Sequence, residues 1–174
     1  MINKLITNET PLVICDIGAS PVDPTPFIDE LLKNVECFLY GFEPNEEEFK
    51  KLNSTDKKEY FNYAVGNGQI ETLNICSAPG MTSILEPDFE YLKLFHGFSD
   101  WAKVTKKVKV QTKKLDDVNF DKKIDFLKID VQGYEHEVIK NGNKIIKDCL
   151  IVQLETSPIP CLLYTSPSPR DGLL

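Results

Sequence analysis

LVICDIGAS, residues 12–20, is an apolar run that leads through an acid into a glycine and two small residues. This pattern is typical of a buried parallel strand that feeds a ligand-binding turn. Gly18 has no Cβ and Ala19 has only a methyl group, so the backbone there can approach a ligand closely. Asp16 places a carboxylate near the carboxyl end of the strand, where open α/β sheets bind ligands. We therefore predict that Asp16, Gly18 and Ala19 bind a cofactor.

A second apolar run, CFLYGF at residues 37–42, is followed by Glu43, and Pro44 then ends the strand. In dinucleotide-type folds, an acid after the second strand accepts hydrogen bonds from ribose hydroxyls about 20 residues beyond the glycine turn. Glu43 follows Gly18 by 25 residues, which is compatible with that role. We predict that Glu43 holds a ribose; its structural alternative is an acid that caps the next helix.

The residues after Gly18 read ASPVDP and lack the further glycines of the dinucleotide motif GxGxxG. A pyrophosphate group would therefore have no glycine-rich cradle. One glycine, a small residue and an acid after the second strand fit a nucleoside cofactor without phosphates, of which S-adenosylmethionine is the common one. The same observation disfavours an NAD-dependent oxidoreductase.

A third stretch, KIDFLKIDVQGYE at residues 123–135, adds specificity to this interpretation. Together with DIGA at 16–19 and GFEP at 41–44, it resembles the FkbM-like family of S-adenosylmethionine-dependent methyltransferases. The resemblance spans roughly residues 12–160 and includes, in the family's order, AVG at 64–66, LDD at 115–117 and LE at 154–155. The chain departs from many relatives at residues 20–21, where Ser-Pro replaces a further glycine.

The resemblance implies an α/β fold of the Rossmann-like class I methyltransferase kind. Its mostly parallel, doubly wound sheet has the expected strand order 3-2-1-4-5, with the C-terminal strand pair missing. In this family the end of the third strand, here read as residues 59–65, flanks the adenine ring, which makes Ala64 and Val65 candidate cofactor neighbours. Core packing is the alternative role for both residues.

The implied reaction is methyl transfer from S-adenosylmethionine, most readily to a hydroxyl oxygen of a sugar or glycosylated metabolite. Asp130, at the carboxyl end of the fourth strand, is the candidate catalytic residue, as general base or as a ligand for the amino-acid end of the cofactor. A carboxylate that caps the next helix is its alternative role. Glu155, at the neighbouring strand end, is a weaker candidate.

The composition predicts a single domain of 174 residues with 41% hydrophobic and 27% charged residues. No apolar run approaches the 18 residues of a membrane span, and the five cysteines show no CxxC spacing. We therefore expect a cytoplasmic protein without membrane contact. No metal-ligating residues are identified, and metal dependence stays open. A net charge of −7 disfavours a nucleic-acid partner, and the lysine-rich segment 103–114 is interpreted as a solvated strand.

Other functions stay open at this point. A catalytically inactive module that binds a nucleoside cofactor would have the same cofactor motifs. A DNA or RNA amino-methyltransferase is disfavoured, because the fourth strand ends in KID at 128–130 and not in an aromatic-containing Asn/Asp-Pro-Pro motif. The sequence does not predict the oligomeric state.

The segment CLLYTSPSPRD, residues 161–171, interrupts the alternation of strands and helices. It resembles a translated sequencing adaptor more than a protein segment. We therefore assign residues 1–160 to an incomplete methyltransferase domain and residues 161–174 to a non-native tail. A genuine proline-rich tail is the alternative.

Overall fold

A computed structural model describes residues 11–21 and 25–156. The strands are β1 (Leu12–Ile17), β2 (Cys37–Phe42), β3 (Lys58–Phe61), β4 (Ala64–Val65), β5 (Ile70–Cys76), β6 (Val104–Lys113), β7 (Phe126–Ile129) and β8 (Ile151–Leu154). The helices are α1 (Pro26–Asn34), α2 (Glu46–Phe49), α3 (Phe89–Leu92), α4 (Phe98–Trp101), α5 (Glu135–Lys140) and α6 (Asn143–Asp148). Two 3-10 helices span Pro79–Met81 and Leu115–Asp117. The predicted tail, residues 161–174, lies outside the described residues.

Five strands form a parallel sheet in the order β3-β2-β1-β7-β8. The prediction of a Rossmann-like α/β fold is confirmed. In chain numbering the order differs in detail from the predicted 3-2-1-4-5, because three strands that belong to another sheet intervene between β3 and β7. Ile17 pairs with both Phe42 and Ile129. The carboxyl ends of the three central strands therefore lie side by side.

A three-stranded sheet in the order β4-β6-β5 accompanies the parallel sheet. The prediction of one strand over residues 59–65 is wrong, because β3 pairs with β2 whereas β4 pairs with β6. Between them, the Asn62 side chain donates a hydrogen bond to the Glu43 carbonyl at 2.8 Å. The lysine-rich segment forms β6, and Lys106, Lys107 and Lys109 are exposed on it.

The two faces of the parallel sheet each pack against helices. Side chains alternate between the faces of a strand, so Val13, Cys15 and Ile17 join one core cluster and Ile14 joins the other. Helix α1 covers the Ile14 face, and residues of α5 and α6 pack on the opposite face. None of the helices in the described ranges is both long and apolar enough to cross a bilayer.

The turn after β1 is held by backbone contacts to both neighbouring strands. The Gly18 and Ala19 N–H groups each donate to the Phe42 carbonyl at 3.0 Å, and the Asp130 N–H donates to the Ile17 carbonyl at 2.9 Å. Gly18 has a φ of +89°, and a Cβ built there would lie 1.8 Å from the Asp130 carbonyl oxygen. The group that approaches Gly18 too closely for a Cβ is therefore the backbone carbonyl of Asp130, and not a ligand.

Replacing Gly18 by alanine should destabilise the fold by roughly 3 kcal/mol or more, because a positive φ and a backbone clash act together. Gly68→Ala is the matched control. Gly68 also has a positive φ, +83°, but its added Cβ would meet only the flexible Lys114 side chain at 3.3 Å. The control should lose about 1–2 kcal/mol. Urea unfolding followed by circular dichroism measures both, and equal losses would contradict the importance of the close approach.

Candidate functional site

A cleft with about 680 Å³ of empty space, partly open to solvent, lies at the carboxyl ends of the central strands. Its walls come from the turn after β1, the segment 42–48, residues 63–65, the loop 79–84 and the turn 130–134. Ligand sites in open α/β sheets lie at this edge. The position of the cleft at this edge makes it the candidate active site.

Five of the seven predicted site residues line this cleft. They are Gly18, Glu43, Ala64, Val65 and Asp130. The structure therefore brings together the end of β1, the end of β2, strand β4 and the end of β7. The roles of these residues stay predictions.

Asp16 and Ala19 do not line the cleft; they border a separate cavity beside α1. Asp16 is two residues from Ile14, which packs in the α1 cluster, so its side chain leaves the strand on the α1 face. Asp16 is buried, and its carboxylate accepts a hydrogen bond from the Lys128 ammonium group at 3.1 Å. The predicted contact of Asp16 and Ala19 with a cofactor stays a prediction. Within the protein, the partner of the Asp16 carboxylate is Lys128.

Glu43 is buried at the wall of the cleft, with 6% of its surface exposed. Its backbone N–H donates to the Phe61 carbonyl at 3.1 Å. Its Oε1 accepts a hydrogen bond from the Asn45 N–H at 2.7 Å. The cap of helix α2 is Asn45, whose Oδ1 accepts from the Glu47 N–H at 3.1 Å. Glu43 therefore stabilises the approach to the helix and at the same time presents a fixed carboxylate group at the cleft.

The cleft is lined by acidic, neutral polar and apolar residues. Its carboxylates are Glu43, Glu48 and Asp130, and Glu48 is held by the Lys51 ammonium group at 2.7 Å. None of the described residues that line the cleft is a lysine, arginine or histidine. An anionic group such as a pyrophosphate would find no cation there, whereas a cationic ligand with hydroxyl groups would be favoured.

Lys128 is the residue that the sequence analysis missed at the end of β7. It is buried, and its ammonium group lies 3.1 Å from Asp16 Oδ1 and 3.2 Å from Asp130 Oδ2. Burial lowers the pKa of Lys128, but the two carboxylates raise it further, so the net pKa lies above the ordinary value. Burial raises the pKa of Asp16 although Lys128 opposes that shift. The sequence does contain a signal for this ion pair, because a lysine inside an otherwise apolar strand is rarely buried without a partner of opposite charge.

Asp130 does not cap helix α5, its predicted alternative role. The carboxylate of Glu135 instead accepts hydrogen bonds from the turn before the helix. Its donors are the backbone N–H groups of Val131 and Gly133, at 3.0 and 3.1 Å. Asp130 is instead held by Lys128 and by the Gln132 amide, which donates to Asp130 Oδ1 at 2.9 Å. Its side chain therefore has partners at the cleft edge and not in the helix.

Glu155, after β8, forms a pair with Asp130. The Gln132 Nε2 group donates to Glu155 Oε2 at 2.8 Å and to Asp130 Oδ1 at 2.9 Å, and so bridges the two carboxyl groups. Hydrogen bonding to Asp130, together with partial burial, raises the pKa of Glu155 to about 8. Burial raises the pKa of Asp130, but its bonds to Glu155 and Lys128 bring it below the ordinary value. The arrangement favours a proton on Glu155 and a charge on Asp130.

The loop 79–84 closes one side of the cleft and is tied to the turn after β7. Ser83 is buried, and its hydroxyl group donates to the Gln132 carbonyl at 2.7 Å. The sequence analysis missed Tyr63 and Tyr134, which line the cleft as half-buried and buried aromatic walls. No cluster of three or more His, Cys, Asp or Glu side chains in residues 11–21 and 25–156 is arranged to hold a metal ion.

Lys128→Met should cost about 3–5 kcal/mol at neutral pH, because it leaves the buried Asp16 carboxylate without a cation. The loss should shrink as the pH falls from 7 towards 4. The pKa of Asp16 is raised in the fold, so protonation there removes the buried charge before the unfolded chain takes up its proton. Denaturant unfolding at several pH values measures both effects. The exposed Lys123→Met is the control, expected within about 0.5 kcal/mol of the parent; equal losses in both variants would contradict the role of Lys128.

No curated protein and no solved structure matches this chain. The family described as Methyltransferase FkbM domain matches residues 16–161, a range that contains the glycine turn, Glu43 and Asp130. The match covers well over half of the chain and confirms the resemblance inferred from the sequence motifs. The chain therefore belongs to the FkbM family of methyltransferases.

Proposed function

We propose that the cleft binds S-adenosylmethionine and that the protein transfers the cofactor's methyl group to a hydroxyl oxygen. The observation that carries the proposal is the charge of the cleft, which has three carboxylates and, among its described lining residues, no cation. S-adenosylmethionine has a sulfonium, an ammonium group and a carboxylate, so its net charge is positive, and it has no phosphate. NAD has a pyrophosphate, which this lining would repel. Membership of a methyltransferase family supports the same cofactor.

The residues present fit the parts of this cofactor. Glu43 would accept hydrogen bonds from the ribose hydroxyls, since a carboxylate provides two acceptor oxygens. The apolar side chains of Val65, Leu73 and Ile84 line the cleft and would pack against the adenine. Asp130 would face the cationic methionine end. When bound, S-adenosylmethionine supplies an electrophilic methyl group on sulfur.

The chain's own contribution would be to position the acceptor, exclude water and receive a proton. Asp130 is ionised at neutral pH because Lys128 and Glu155 stabilise its charge, and an ionised carboxylate can accept a hydroxyl proton. The loop 79–84, fixed through Ser83, would cover the acceptor. We propose a sugar or glycosylated metabolite as the acceptor, the same class that the family resemblance implies.

The location that we propose is the cytoplasm. Cys15, Cys37, Cys76 and Cys149 are free thiols in the described part of the chain. Free cysteines are usual in the reducing compartments of the cell. Measuring the reactive thiols of protein isolated under non-reducing conditions tests this.

Glu43→Gln should weaken S-adenosylmethionine binding by roughly 10- to 150-fold, because it removes the charge from the ribose contact. The amide oxygen of glutamine can still accept from the Asn45 N–H, so the local structure should survive. Isothermal titration calorimetry with S-adenosylmethionine, and separately with NAD, measures the affinities. Unchanged affinity in the variant would dismiss Glu43 as the ribose ligand, and tighter binding of NAD by the parent would dismiss the proposed cofactor.

Asp130→Asn should reduce turnover about 100-fold or more if Asp130 is the base, with little change in cofactor affinity. Asp88→Asn is the matched control, since asparagine also caps helices and Asp88 caps α3 outside the cleft. A methyl-transfer assay on a panel of hydroxylated acceptors measures the rates. Full turnover in Asp130→Asn would exclude Asp130 as the base, and a parent that binds the cofactor yet methylates nothing in the panel would favour an inactive cofactor-binding module.

A further inference from the structure

Gln132 has an unusual backbone conformation at the edge of the cleft. Its φ is +53°, and in the described ranges it is the only non-glycine residue with a positive φ. Such a conformation is unfavourable for a residue with a Cβ and persists only where surrounding contacts enforce it. Strained residues of this kind concentrate at functional sites. The contacts of Gln132 therefore indicate what its conformation is for.

These contacts hold the backbone of Gln132 in place and orient its side chain. The Gln132 carbonyl accepts from the Ser83 hydroxyl at 2.7 Å. The side-chain Nε2 donates to Asp130 Oδ1 at 2.9 Å and to Glu155 Oε2 at 2.8 Å. An amide NH₂ has two hydrogens, so both are used, one on each carboxyl group. Gln132 thus joins the end of β7 to the end of β8.

Within residues 11–21 and 25–156, the two carboxyl groups have few cations near them. The ion pairs found there give Asp130 one cation, Lys128 on β7, which is shared with Asp16 on β1. Glu135, on α5, adds a further negative charge near Glu155. Close carboxyl groups with too few cations retain a proton between them. A neutral donor such as the Gln132 amide can hold them together without adding charge.

We propose that Gln132 is a positioning residue that holds Asp130 and Glu155 as a pair sharing one proton and so keeps Asp130 ionised. The proton stays with Glu155, and Asp130 is left in the state that can accept a proton from an acceptor hydroxyl. This role rests on the proposed function of the cleft. The shared proton itself is a property of the protein without cofactor and can be measured independently.

The test is a carbon-13 NMR titration of the cofactor-free protein with labelled Asp and Glu carboxyl groups. Glu155→Gln and Asp130→Asn assign the two resonances. In the parent, the two groups should titrate far apart, with Glu155 well above the usual glutamate range. Gln132→Met keeps the side-chain length and removes the donor, and it should narrow the gap between the two titrations by about one pH unit or more.

Two further variants separate this role from a structural one. Ser83→Ala removes the bond to the Gln132 carbonyl and leaves the side-chain amide, so it should keep most of the gap. Gln132→Asn tolerates the left-handed conformation but is too short to reach both carboxyl groups, so it should narrow the gap even if Gln132→Met does not fold. A gap of parental size in a folded Gln132→Met or Gln132→Asn protein would overturn the proposal. Because no cofactor is present, failure to bind S-adenosylmethionine would overturn the proposed function alone.

Discussion

The buried ion pair between Lys128 and its two carboxylates is the interaction on which the site depends. Lys128 stands on β7, Asp16 on β1, and Asp130 just beyond the end of β7. Burying a charge is costly unless a partner satisfies it, so each of these side chains depends on the others where the strands meet at this edge. At the same edge the Asp130 carbonyl lies against Gly18. The packing of the glycine turn and the charges around the candidate base therefore meet at one point of the sheet.

The acidity of the cleft follows from the same arrangement. Lys128 lies behind the wall between Asp16 and Asp130, while Glu43, Glu48 and Asp130 line the cleft. The closest cation to Glu48 is Lys51, which is not part of the lining. A ligand with positive charge and hydroxyl groups gains from such a wall, and a phosphate-bearing ligand is repelled. The selectivity expected of the cleft is therefore electrostatic as well as steric.

Much of the fold could be predicted because its signals are local. Apolar runs at residues 12–17 and 37–42, each followed by an acid or a glycine turn, identify buried parallel strands, and parallel topology then brings their carboxyl ends to one edge. That reasoning also placed Glu43 and Asp130 at the cleft. It did not show that the Asp16 side chain lies on the α1 face, outside the cleft lining; the cofactor role of Asp16 stays a prediction. The alternation of side chains along β1 places Asp16 on the same face as Ile14. Which face that is depends on helix α1, which packs there.

The remaining features depend on contacts between residues far apart in the chain. Gln132 is left-handed because Ser83 and two carboxyl groups hold it, and no local pattern encodes that. The most direct test of the account is a crystal structure of the protein with S-adenosylhomocysteine. The account predicts the ribose hydroxyls on the Glu43 carboxylate and the adenine beside Ala64 and Val65. A ligand bound elsewhere, or a ribose turned away from Glu43, would contradict it.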